Sequence, residues 1–105
     1  MTPQEQAEES AKALEDAKAV DVKVYDVRGK SSLADFFVVA TGAAAPHLKA
    51  LVKALPRGAY RVSGDPESGW IVADYVDVVV HVFSPEARAY YALEKIWESV
   101  PEFGF

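Results

Sequence analysis

Apolar residues crowd most densely over residues 70–83, Trp-Ile-Val-Ala-Asp-Tyr-Val-Asp-Val-Val-Val-His-Val-Phe. The pattern predicts two strands joined by a tight polar corner, Asp74-Tyr75-Val76-Asp77. From Val78 to Phe83 the apolar run is almost unbroken, as in a strand buried on both faces. Helices must then cover both sides of it, or one side with a partner on the other.

The rest of the chain reads as elements packed around this hairpin. Ala7, Ala11, Leu14 and Ala17 make one stripe of a first helix over 2–19, opened by Thr2 and Glu5 at capping-box spacing and by Pro3. A stripe built mostly of alanine predicts shallow burial and weak docking. Val22, Val24 and Asp26 alternate with Lys23, Tyr25 and Val27 along a first strand, and Arg28-Gly29-Lys30-Ser31-Ser32 is a turn. Phe36 to Thr41 is a second apolar strand ending at Gly42. Leu48, Leu51, Val52 and Leu55 form the face of a helix that Pro46 helps to start and Pro56 stops. Ala59 to Ser63 reads as a short strand, followed by a loop of turn formers over 64–69. Ser84-Pro85-Glu86 starts a last helix running to about Ser99, with Ala87, Tyr90, Tyr91, Leu93, Glu94 and Trp97 on an aromatic face; Tyr91 and Trp97 read as core. Residues 101–105 are a tail. The order α-β-β-α-β-β-β-α predicts an α/β fold: a mixed five-stranded sheet with flanking helices, in one domain over 1–105.

Composition narrows the function classes. The chain has 105 residues, no cysteine and two histidines, so a disulfide framework, thiol chemistry and a zinc site are not expected. No apolar run approaches the about 20 residues a membrane helix needs. The acidic N-terminus does not read as a signal or transit peptide, and a soluble cytoplasmic protein is expected. The net charge is −5, of which −4 lies in residues 1–21, where six acids face Lys12 and Lys18. That distribution disfavours nonspecific nucleic-acid binding, which needs clustered Lys and Arg, and permits a basic protein partner. The plainer reading, which charge runs usually warrant, is a solvated acidic helix face.

Candidate chemistry is sparse. Asp35, Asp74 and Asp77 are the best acid cluster for a metal-dependent nucleotidyl transfer. Asp74 and Asp77, however, stand three apart across a corner and are expected to point in different directions. The Gly29-Lys30-Ser31-Ser32 run resembles the end of a phosphate loop but lacks the upstream glycine and the strand-to-helix setting. His47 reads as a cap or surface residue. His81, within an apolar strand and with no Gly-x-Ser-x-Gly in the chain, reads as a half-buried histidine bonding a neighbour. Trp70 divides evenly between core and interface anchor, whereas Tyr75, at the corner, is harder to bury and reads as a contact residue.

Several pieces together resemble the ribosomal silencing factor (Iojap-like) family along nearly the whole chain: Asp26 to Ser32, Asp35 to Gly42 with His47 after it, Trp70 to Tyr75, Asp77 to Phe83, and Arg88 with Tyr91, Leu93, Glu94 and Trp97. The resemblance implies a mixed-sheet fold shaped like nucleotidyltransferases but without their catalysis or any cofactor. It implies binding to ribosomal protein fourteen of the large ribosomal subunit, steric blocking of small-subunit joining under nutrient limitation, and homodimers when free. Carried over by motif, Trp70, Asp74 and Tyr75 would contact the partner, with Asp77 and His81 nearby. Two departures stand out. The family's usual glycine between Tyr75 and Asp77 is Val76 here, and a β-branched residue resists positive φ. The segment from His47 to Trp70 is also short, which points to a truncated helix and a displaced third strand. The competing readings are a nucleotidyltransferase-like enzyme using Asp35, Asp74 and Asp77, and a homodimeric scaffold acting through the same hairpin.

Overall fold

The computed structural model describes residues 2–29 and 34–91. Eight elements follow in the expected order: α1 (Pro3–Asp16), β1 (Val20–Asp26), β2 (Phe36–Thr41), α2 (Ala45–Ala54), β3 (Arg61–Asp65), β4 (Trp70–Asp74), β5 (Val78–Phe83) and α3 (Pro85–Tyr91). The five strands form one sheet in the order β1-β2-β5-β4-β3. Only β2 and β5 run parallel; the other pairs are antiparallel, so the sheet is mixed. The expected α/β architecture, a mixed five-stranded sheet with flanking helices, is what the chain adopts.

Helix α1 opens with the expected capping box, Thr2 accepting from the Glu5 amide while the Glu5 carboxylate accepts from Thr2 N–H. The hydrogen bond from the Thr2 backbone N–H, with help from the Thr2 side chain, holds the Glu5 carboxyl below the usual glutamate range. The helix ends earlier than the stripe predicts, at Asp16. Lys18 takes φ +71°, and Ala19 N–H and Lys18 N–H donate to the carbonyls of Leu14 and Glu15. This is a Schellman stop with lysine in the place glycine usually holds, so no glycine marks it in the sequence. The expectation of shallow burial is also corrected: Ala7, Ala11 and Leu14 are wholly buried. Small side chains bring the helix backbone closer to the sheet instead of leaving it loosely seated.

Helices α1 and α2 cover one face of the sheet. There Val24, Phe36, Val38, Val78, Val80 and Val82 meet Leu14, Leu48 and Leu51 in the main core. A smaller cluster, Tyr25, Val27, Val39, Phe83 and Ala87, lies on the opposite face beneath α3. Strand β5 is therefore buried along its whole inner face and at His81 and Phe83 on its outer face, close to what its apolar run predicts, with Val79 only partly covered. Strand β1 begins two residues earlier than expected and carries a bulge between Val20 and Lys23. The Arg88 guanidinium of α3 donates to the Asp21 carbonyl at that bulge (2.8 Å) and to Thr41 Oγ1 (2.7 Å), tying the start of β1 to the end of β2.

Helix α3 starts where expected, with Ser84 Oγ accepting from Ala87 N–H. Tyr90, on the expected aromatic face, is 76% exposed. The Tyr91 side chain, Leu93, Glu94, Trp97, the helix beyond Tyr91, the tail over 101–105, and Lys30 to Ser32 of the first turn lie outside the described residues. Strand β3 lies two residues later than the sequence suggests, and its whole length is exposed at the sheet edge.

Candidate partner-binding face

The hairpin of β4 and β5 divides its residues by alternation, since successive side chains on a strand point to opposite faces. Ile71, Ala73 and Tyr75 face the main core; Trp70, Val72 and Asp74 face away from it. Their cross-strand partners on the outer face are Phe83, His81 and Val79. Next to these, β2 places Phe37 opposite Val79 and Val39 opposite His81. The outer face thus presents Trp70, Val72, Asp74, Val79 and Phe37, all only partly buried, around a buried His81.

The β3–β4 turn aims Trp70 onto this face. Asp65 Oδ1 accepts from Ser68 N–H, and the Ser68 hydroxyl donates back to the Asp65 carbonyl. Gly64 has φ +86°, and a Cβ there would stand 2.2 Å from the Trp70 carbonyl oxygen, so only glycine fits. The Trp70 indole stacks on Phe83 at 5.3 Å between centroids, and its N–H donates to His81 Nδ1 at 3.3 Å. An indole nitrogen is only ever a donor, so His81 Nδ1 must be the unprotonated nitrogen. Burial pushes the His81 pKa down to about 4, which keeps the ring in that neutral form. Phe37 meets the same imidazole edge-on at 5.6 Å.

The sequence-derived site residues do not all lie together. Trp70, Asp74 and His81 share the outer face. Tyr75, expected to resist burial, is 7% exposed on the core side, and its hydroxyl donates to the Pro56 carbonyl. The corner turns its ring inward because Tyr75 continues the alternation of Ile71 and Ala73. Burial raises the Tyr75 pKa, and the charge of Glu9 adds to the shift. Asp77 sits in the corner with its backbone carbonyl accepting from both Asp35 N–H (2.7 Å) and Phe36 N–H (3.1 Å), which pins the start of β2 to the hairpin.

The corner itself is tight. Asp77 N–H donates to the Tyr75 carbonyl at 3.0 Å across Val76, which has φ +76°. That is the rare, strained form of γ-turn. Valine adopts the positive φ that the sequence argues against, and Asp74 Oδ1 helps to hold it there by accepting from Val76 N–H at 2.7 Å. Val76 is 56% exposed at the tip.

Asp35, Asp74 and Asp77 do not assemble the metal clamp that the enzyme reading requires. Among the described residues no group of three or more His, Cys, Asp or Glu is placed to hold a metal ion. His47 is a strut, as its cap reading suggests. Its Nδ1 accepts from Ala43 N–H and its Nε2 lies 2.9 Å from the Ala17 carbonyl, joining the start of α2 to the end of α1. The sequence reading passed over Phe37, Val72 and Val79. Period-two alternation outward from Trp70 and His81 was the signal that could have found them.

The family described as ribosomal silencing factor during starvation matches residues 1–104. The chain belongs to that family. A ribosomal silencing factor of Halalkalibacterium halodurans is 35% identical, with 96% of this chain and 92% of the relative covered. One from Bacillus subtilis is 33% identical, covering 88% of this chain and 84% of that one. The fold agrees with solved structures. A crystal structure of a Chromobacterium violaceum protein superposes with a TM-score of 0.87 at 33% identity, covering 92% of this chain and 87% of that one. One from Bacillus halodurans gives 0.83 at 32% identity, with 97% and 99% covered. Among the described residues no helix is long and apolar enough to cross a membrane.

Proposed function

We propose that this chain, acting in the cytoplasm as a single domain over 1–105, binds the large ribosomal subunit through ribosomal protein fourteen. Occupying that site, it sterically blocks joining of the small subunit when nutrients are scarce. Membership of the starvation silencing-factor family carries this reading. Two observations support it. The outer face of the β4–β5 hairpin offers an aromatic anchor, Trp70, beside partly buried Val72 and Phe37, and anchors of this kind dominate protein interfaces. The net charge of −5 favours long-range attraction to a basic, RNA-associated partner, with Asp74 on this face and most of the net acidity on α1 across the sheet.

In this reading Trp70 and Asp74 touch the partner. Asp77 stands at the rim, and Tyr75 braces the hairpin from behind. The mechanism is occlusion, so it needs no cofactor and no chemical step. The free chain pairs with a second copy.

The test is co-sedimentation with isolated large and small subunits, followed by a subunit-joining assay. Association with the large subunit only, with joining inhibited, is the expected result. Trp70→Ala should weaken binding by about thirtyfold, as loss of an interface hot spot does. Association with neither subunit, or joining unaffected at saturation, would remove the reading.

A further inference from the structure

His81 is the one polar side chain on β5, and it lies among aromatic and aliphatic neighbours on the outer face: Val39 and Val72 across the strands, with Phe37, Trp70 and Phe83 around its ring. Its imidazole is nearly parallel to Phe83 (7° between planes, centroids 6.1 Å apart) and meets Phe37 edge-on (89°). Packed this way, the ring has little freedom to turn. Its Nδ1 therefore points along a fixed line, and the Trp70 N–H lies on that line at 3.3 Å. Trp70 sits diagonally across from His81, since β4 pairs Val72 with His81 and Trp70 with Phe83. The indole is thus held at two points: its face by Phe83 and its N–H by His81. A partly buried tryptophan without the second point could slide or rotate on Phe83 while keeping its apolar contact.

We infer that His81 is a positioning residue: its acceptor nitrogen sets the orientation in which Trp70 meets the ribosomal partner, and His81 does not itself touch that partner. The inference rests on the ribosome-binding reading above. A purely space-filling histidine would be replaceable by any residue of similar bulk. A positioning one is replaceable only by a side chain that keeps an acceptor at the Nδ1 position. Asparagine does so, because its Oδ1 is the same number of bonds from Cα as histidine Nδ1.

The experiment combines NMR of the Trp70 indole N–H with co-sedimentation on isolated large ribosomal subunits. His81→Leu should shift the indole resonance and weaken binding by about tenfold, the loss expected when one oriented hydrogen bond is removed. His81→Asn should restore both. Trp70→Ala and Trp70→Ala/His81→Leu should bind equally weakly, since His81 acts only through Trp70. Should His81→Leu not fold, His81→Phe, which keeps a ring between Phe37 and Phe83 but offers no acceptor, replaces it with the same expectation. Wild-type-like binding by the folded Leu or Phe variant overturns the inference. So does an Asn variant as weak as Leu, or losses that multiply in the double variant. If the wild-type chain does not bind the large subunit, the parent reading fails instead. An unmoved indole resonance in His81→Leu would still refute the positioning contact by itself.

Discussion

The two faces of the β4–β5 hairpin are built from alternate residues of the same strands, yet they are different materials. The inner face is Ile71, Ala73, Tyr75, Val78, Val80 and Val82, closed by the leucines of α1 and α2. The outer face is Trp70, Val72, Asp74, Val79, His81 and Phe83, aromatic and polar, and only its Phe83 end lies in the cluster with α3. The inner side chains are aliphatic except Tyr75, whose hydroxyl donates to the Pro56 carbonyl, so this face is closed within the fold. Aromatic rings with a nitrogen or a neighbouring carboxylate keep directional groups available at a surface. A substitution on the inner face should therefore cost folding, and one on the outer face should cost binding.

Leu48→Ala, at a wholly buried inner position, should destabilise by about 3 kcal/mol in chemical denaturation, from lost burial plus the cavity left behind. A cost under about 1 kcal/mol would mean that the inner face is not close-packed.

Acid tests the buried histidine of the outer face. His81 has a folded pKa of about 4 against an ordinary value of 6.5. Between those values the unfolded chain takes up a proton that the folded chain refuses, so stability falls as pH falls through that window. The loss should reach roughly 3 kcal/mol by pH 4, on top of what the carboxylates contribute. Asp26 is one of those carboxylates, held below the ordinary range chiefly by its hydrogen bond from Arg28. Denaturation of wild type and His81→Asn at pH 7, 5.5 and 4 isolates the histidine. Equal pH dependence of the two proteins would contradict its buried, neutral state.

A smaller effect, of opposite sign, is expected at the corner. Val76→Gly should stabilise by about 1 kcal/mol, because glycine takes φ +76° without the steric cost that valine bears. A melting temperature unchanged or lowered would mean that the turn is not strained. The smallest stability effect belongs to Val72→Ala, which should cost no more than about 1 kcal/mol at its partly buried outer position. It should nevertheless weaken large-subunit binding measurably in a gradient.

Much of this was legible in the sequence, because period-two alternation and capping residues act locally. The hairpin limits at Trp70, Asp74, Val78 and Phe83, the capping box at Thr2 and Glu5, and the Ser84 cap are all set by neighbours within a few positions. What was not legible depends on contacts distant in sequence or on a backbone angle paid for elsewhere. Arg88 reaches Asp21 and Thr41, and His47 reaches Ala17, through the tertiary fold alone. Lys18 and Val76 adopt positive φ that their side chains oppose, so no residue type announces either turn. The candidate site was half legible. The motif carried over from the family groups Tyr75 with Trp70 and Asp74, but the pleat sends Tyr75 to the inner face and the other two to the outer one.

Trp70 and Ile71 are adjacent in sequence and opposite in direction, and they provide the most direct test of the two-face account. Trp70→Ala and Ile71→Ala would be compared for thermal stability and for co-sedimentation with large ribosomal subunits, binding being normalised to the folded fraction. The account predicts that Ile71→Ala melts lower but binds as wild type when folded, whereas Trp70→Ala stays folded and loses about thirtyfold in binding. Binding lost with Ile71→Ala and kept with Trp70→Ala would contradict it.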